Sequence, residues 1–190
     1  MATRVGALIA VPSERNVRAE RDGADLAARI HALHATCFGW AMSCCGNRRE
    51  EAEDLLQDVY VGALENGLHF NGDSTLRTWL FGVIRHKARS RLRRERVREL
   101  LGLRNAARID PPAAAPPPDA DVVASERRAI TRRALDRLPR RQCEVVLLVF
   151  YHDMTLEEAA DILEISVGST RVHYDRGKKR LAALLAGERP

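Results

Sequence analysis

Aromatic residues make up only 5% of the 190 residues, and no apolar stretch approaches the roughly 18 to 20 residues that cross a bilayer. The longest, Val145 to Tyr151, is the size of a core segment. The apolar–polar alternation of a half-buried strand is nearly missing. The short signatures of catalysis are missing too: no Gly-rich phosphate loop, HExxH, GxSxG or paired carboxylates stand out, which argues against an enzyme. Met1 to Val11 has no long apolar core and no small-residue cleavage site, so the expected location is the cytoplasm, without membrane insertion.

Cysteine is scarce as well. Cys37, Cys44, Cys45 and Cys143 form no paired framework, and adjacent cysteines rarely bridge, so reduced thiols are expected. His31, His34 and Cys37 lie three apart on an expected helix, with Cys44 and Cys45 just beyond. That spacing drifts by about 60° per step around a helix, and no CxxC or HxxxH pair accompanies it. The expectation is packed or half-exposed side chains, with no metal and no cofactor. A metal-sensing module around this cluster is a rival that stoichiometric zinc would support.

What is present is helical and charged. With 45% hydrophobic and 30% charged residues the chain is not disordered throughout. Lys+Arg 31 against Asp+Glu 26, with a pI near 9.4, favours a polyanionic partner. Five of the eight prolines fall between Asp110 and Asp121, a segment that cannot continue a helix. The chain therefore reads as all-α: a leader 1–22, a helical domain 23–103, a Pro/Ala-rich linker 104–123, a second helical domain 124–186 and a tail 187–190. Apolar spacing of three and four predicts helices near 24–45, 49–67 and 75–100, then 124–137, 140–151, 155–163 and 167–185. Asp73, Ser74 and Thr75 are candidate caps, and Thr155 to Glu158 is a capping box.

Charge is segregated along this plan. Six acids and no Lys or Arg lie between Glu50 and Glu65, whereas Arg85 to Arg98 carries a net +7. The contrast repeats: Asp153 to Glu164 has five acids and no Lys or Arg, and Arg171 to Arg180 has five basic residues against Asp175. Two basic helices in two domains suit a paired footprint on phosphates, although solvated faces give similar runs.

Thr155 to Leu163, a turn through Glu164, Ile165 and Ser166, and a helix from Val167 have the layout of a helix-turn-helix, with Ala159 and Ala160 small where the helices cross. At about 100° per residue, Thr170, Tyr174, Gly177, Leu181 and Leu184 face inward. The opposite side presents Ser169, Val172, His173, Arg176 and Arg180, a face suited to a major groove, with Arg171 and Lys178 on its flank toward the backbone. A basic amphipathic helix in a bundle would show the same pattern, and Glu164 stands where such turns often have Gly.

The first domain adds specificity. Ala52-Glu-Asp-Leu-Leu-Gln-Asp-Val-Tyr60 is followed by Phe70-Asn-Gly-Asp-Ser-Thr-Leu-Arg-Thr-Trp-Leu-Phe81 and the arginine-rich helix; Ala134 to Val146, Leu156 to Ile165 and Gly168 to His173 follow in order. Together these segments resemble the extracytoplasmic-function group of bacterial sigma factors. The resemblance implies a chain that binds core RNA polymerase, directs it to a promoter and helps melt the duplex. It implies polymerase contacts at Asp54, Leu55, Gln57 and Asp58, and contacts to a single-stranded −10 element at Phe70, Asn71, Ser74, Arg77, Arg85, His86 and Arg89. It also implies contacts to the duplex −35 element at Ser169, Arg171, Val172, His173, Arg176 and Arg180, and an anti-sigma partner. Trp79 reads as core rather than a stacking platform.

The chain departs from that pattern where His86 and Ser90 replace Asn and Asp, where Val172 and His173 replace Ser and Arg, and where Tyr174 replaces an inward Leu, so promoter preference transfers least. The chief alternative is a stand-alone helix-turn-helix regulator, which would bind a two-fold symmetric duplex without polymerase.

Overall fold

The computed structural model describes residues 25–65, 68, 70–101 and 122–187. The leader 1–22, the Pro-rich segment Asp110 to Asp121, and His69 lie outside the described residues. Every regular element described is helical. Helix α1, residues 25–32, ends at a turn where the Leu33 N–H bonds back to Ile30 O at 3.1 Å. The single helix expected over 24–45 is therefore two, continuing as α2, His34–Cys44. Then come α3, Arg49–Leu64, and α4, Leu76–Leu100. Of the three candidate caps Thr75 is the one used at α4, its Oγ1 accepting from the Thr78 N–H at 3.1 Å.

The second cluster comprises α5, Val122–Asp136; α6, Arg140–Val146; α7, Leu156–Leu163; and α8, Val167–Gly187. The helix expected over 140–151 keeps its length but changes pitch, because Leu147–Tyr151 is a π turn whose wider bonding closes with His152 N–H to Leu147 O at 3.1 Å. The Thr155–Glu158 capping box starts α7.

In the first cluster Leu55, Val59, Leu80 and Ile84 are fully buried around Trp40. The Trp40 indole stacks on Phe81 at 5.6 Å and donates to the Phe81 carbonyl at 3.0 Å, so its one polar atom is satisfied inside an apolar site. The second cluster buries Val145, Leu148, Ile162 and Leu163, with Thr170 and Gly177 facing inward from α8.

The two clusters pack on one another. Helix α7 crosses α4, and the His152 ring packs perpendicular to the stacked Phe81 and Trp40 rings, at 4.9 and 5.8 Å. Gly39 of α2 lies under Tyr151 and His152 at a distance where a Cβ would make ordinary contact with both rings, at 3.5 and 3.6 Å.

Two stability predictions follow from this packing. A Cβ at Gly177 would lie 2.8 Å from Val146 Cγ2 and 3.1 Å from Gln142 O, where α8 crosses α6. Gly177→Ala, ordinarily favourable in a helix by about 1 kcal/mol, should instead lower stability by about 1 to 3 kcal/mol in urea titrations. Burial, helped by nearby Arg77 and opposed by Asp153, pulls the His152 pKa from 6.5 to about 4. The unfolded chain therefore takes up the imidazole proton first as pH falls. The stability conferred by neutral His152 is complete above pH 6.5 and declines by about 3 kcal/mol toward pH 4. His152→Phe should flatten that slope, and an unchanged slope would show that other groups set it.

Candidate nucleic-acid interface

The outer face of α8 is built from its turn. Glu164 takes the left-handed conformation, φ 53° and ψ 48°, and the Ile165 N–H closes on Ala160 O at 3.1 Å. A residue with a side chain thus occupies the position where glycine is common, at a cost of about 1 to 2 kcal/mol. Ser166 Oγ accepts from the Ser169 N–H at 3.1 Å and caps α8. Thr170, bonded to Ser166 O, anchors the inner side. On the outer side Ser169, Arg171, Val172, Arg176 and Arg180 are exposed, while His173 is half-buried. Lys178 lies over the Tyr174 ring at 5.2 Å and Phe150 stacks on that ring at 5.7 Å, so Tyr174 has aromatic company in place of an aliphatic contact.

The second basic surface begins at the loop 70–75. Phe70 packs against a half-buried Trp79 at 5.5 Å, Asn71 donates to Asp73, and Gly72 has φ +83°. Asn71 is exposed and Ser74 half-buried. Along α4, Arg77 and Arg89 are half-buried and His86 is exposed. Arg85 is different. It is 2% exposed and faces the second cluster, with Nη1 donating to Ile162 O at 3.2 Å and Nη2 3.7 Å from Glu144. Burial pulls its pKa below the usual arginine value, with Glu144 opposing, so in this arrangement Arg85 is withdrawn from solvent nucleic acid. Ser74 and His86 line a cavity of about 380 Å³ whose far wall is Asp161 and Ile162 of α7 and Glu164 of the turn after it.

On α3, Asp54, Gln57 and Asp58 are exposed, whereas Leu55 is 0% exposed. Leu55 belongs to the core and leaves the contact surface, because its side of the helix is the one packed against α2 and α4. Gln57, with Glu53, lines a groove of about 390 Å³ that Val61 and Leu64, both over 40% exposed, also border, whereas Asp54 and Asp58 lie on the side of α3 toward α4. Val61 and Leu64 were not singled out from sequence. The signal was there: they fall four and seven positions after Gln57, one stripe of a helix. Asp58 is also tied inward, its carboxylate to Arg91 and its carbonyl to Lys87 Nζ at 2.8 Å.

Among the described residues no group of three or more His, Cys, Asp or Glu side chains could hold a metal ion. His34 meets the Tyr60 hydroxyl at 3.3 Å, and burial raises the Cys37, Cys45 and Cys143 thiols to about 11, which leaves them protonated and unreactive at neutral pH. Among the described residues no helix is long and apolar enough to cross a membrane.

Comparison with known proteins assigns both clusters. Sigma-70 region 2 matches residues 30–98 and sigma-70 region 4 matches residues 128–181. The chain is 33% identical over 163 residues to the ECF RNA polymerase sigma factor EcfG of Rhodopseudomonas palustris, covering 85% of this chain and 83% of that protein. It is 29% identical over 162 residues to the RNA polymerase sigma factor CnrH of Cupriavidus metallidurans, covering 83% and 85%. Its fold is similar to that of RpoE from Bartonella quintana, solved with the anti-sigma factor NepR, with TM-score 0.64, 24% identity and coverage of 87% and 99%. It is likewise similar to CnrH solved with the cytosolic domain of CnrY, with TM-score 0.61, 22% identity and coverage of 91% and 97%. With both regions present in order, the chain belongs to the ECF group of bacterial RNA polymerase sigma factors, non-catalytic proteins that direct the polymerase to initiate at specific promoters.

Proposed function

We propose that the two clusters are separate promoter-reading domains, the first for a single-stranded −10 element and the second for a duplex −35 element. The observation that carries this reading is the outer face of α8: a capped helix of a helix-turn-helix with Ser169, Arg171, Val172, Arg176 and Arg180 exposed together. Arginines there can donate to base acceptors or phosphates, and the Val172 methyls can lie against a thymine methyl. In the first domain Phe70, Asn71, Ser74, Arg77, His86 and Arg89 follow one another from the loop along α4, and single-strand binding combines such a pocket with an electrostatic track. Arg85 joins that row only when the second domain moves off it.

The polymerase surface is α3, with Asp54, Gln57 and Asp58 as polar contacts and Val61 and Leu64 as the apolar border of the groove. An acidic face with exposed apolar residues suits a protein partner rather than DNA. An anti-sigma partner is part of the same reading, supported by the capture of RpoE with the anti-sigma factor NepR.

Size-exclusion co-elution with core RNA polymerase, without DNA, tests the polymerase surface. Asp54→Ala combined with Gln57→Ala should reduce capture about tenfold with helicity unchanged, both side chains being exposed. Equal capture would move the surface elsewhere, and failure of the folded wild type to co-elute would favour the stand-alone regulator. For the upstream element, Arg176→Ala should weaken holoenzyme binding to promoter DNA by about 1 to 3 kcal/mol if it touches bases, and half-buried His173→Ala by less. Fluorescence anisotropy measures both, and undiminished binding rejects the assignments.

A further inference from the structure

Beside its outer row, α8 carries a stripe that the base-reading positions leave unused. Arg171, Tyr174 and Lys178 fall three and four apart, so they share one flank of the helix. Burial falls along the inner edge of this flank, from Thr170 at 0% exposed through half-buried Tyr174 to exposed Lys178. The Lys178 ammonium stands 5.2 Å from the centre of the Tyr174 ring. That ring is held in turn by Phe150, stacked on it at 5.7 Å with 29° between the planes. Phe150 is 58% exposed, so filling the core does not account for it. It stands four residues after Val146, which packs under Gly177, so the crossing of α6 with α8 continues by one rung into the π turn and sets Phe150 against Tyr174.

We propose that Phe150, Tyr174 and Lys178 form a clamp for the phosphate backbone of the −35 duplex, in which two stacked rings hold the lysine ammonium at the edge of the groove. This rests on the reading of α8 as the −35 helix. A lysine on its four-carbon stem is a mobile point charge. A ring face under the ammonium narrows its range, an attraction worth about threefold in an equilibrium at an exposed site. An ammonium lying over a ring still has donors to offer a phosphate oxygen. Among the described residues no carboxylate pairs with Lys178. Arg171 adds a second cation to the same stripe, about two turns away. The Tyr174 ring already carries Phe150 and Lys178, so this edge presents charge rather than apolar surface, which suits a polyanion rather than a protein.

The test uses holoenzyme assembled from core RNA polymerase and the full chain, bound to a fluorescein-labelled promoter duplex and followed by anisotropy over a potassium chloride series. Lys178→Ala should weaken binding about fivefold and make the slope of log K against log salt shallower by about one. Tyr174→Leu keeps apolar volume but removes the ring, and should weaken binding about threefold. Tyr174→Phe keeps the ring and should bind like the wild type. In the Tyr174→Leu background Lys178→Ala should cost less than it does in the wild type, because the two side chains act as one unit. Phe150→Leu, at an exposed position outside α8, should reproduce part of the Tyr174→Leu loss. An unchanged salt slope in Lys178→Ala overturns the proposal, as do additive losses in the double variant or equal weakening by Tyr174→Phe and Tyr174→Leu. Loss of polymerase co-elution in folded Tyr174→Leu assigns the rings to a protein contact and overturns it too. Arg176→Ala separates these failures from failure of the −35 reading. If it weakens binding while the Lys178→Ala slope is unchanged, the clamp alone fails; if neither variant alters binding, the reading of α8 fails with it.

Discussion

The two helical clusters meet around a buried guanidinium. An arginine stays charged inside a protein, so enclosing Arg85 requires partners that replace water. Ile162 supplies a carbonyl, free because α7 is near its end, and Glu144 supplies a carboxylate. That carboxylate is itself gathered by Arg140 at 3.0 Å and Arg141 at 3.2 Å from the same helix, so Glu144 is charge-balanced on the α6 side before Arg85 arrives. The long Arg85 contact is what remains when one carboxylate serves three cations. Around this polar centre the interface is apolar and aromatic, with His152 neutral against Trp40 and Phe81. The arrangement combines close aromatic packing with weak charge pairing at Arg85.

Much of the architecture was legible in the residues. The helix periods, the Thr155–Glu158 box, the Thr75 and Ser166 caps and the inward positions of Thr170 and Gly177 depend on local chemistry, and local chemistry is what a sequence displays. The break at Leu33 and the π turn at Leu147–Tyr151 were not legible. Both lie in runs whose apolar spacing reads as continuous helix.

Site residues divide along the same line. The exposed row of α8 follows from counting 100° steps, as does the acidic face of α3, but which side of a basic helix is buried depends on a partner remote in sequence. Arg85 is separated from Ile162 by 77 positions. Nothing local distinguishes it from Arg89, which stays half-exposed one turn later. Leu55 shows the converse: its place in a contact motif said nothing of the core position that the period of α3 gives it.

Within the first cluster, Arg91 reaches both the Asp54 carbonyl and the Asp58 carboxylate, and Lys87 reaches the Asp58 carbonyl, so polar side chains of the basic helix join it to the acidic helix. The Arg91–Asp58 pair is solvent-accessible, at 33% and 57%, and such pairs contribute about 1 kcal/mol or less. An interaction that weak does not fix the fold, which the packing of Leu55, Val59 and Ile84 already does. It does hold two long side chains in register across the acidic and the basic helix.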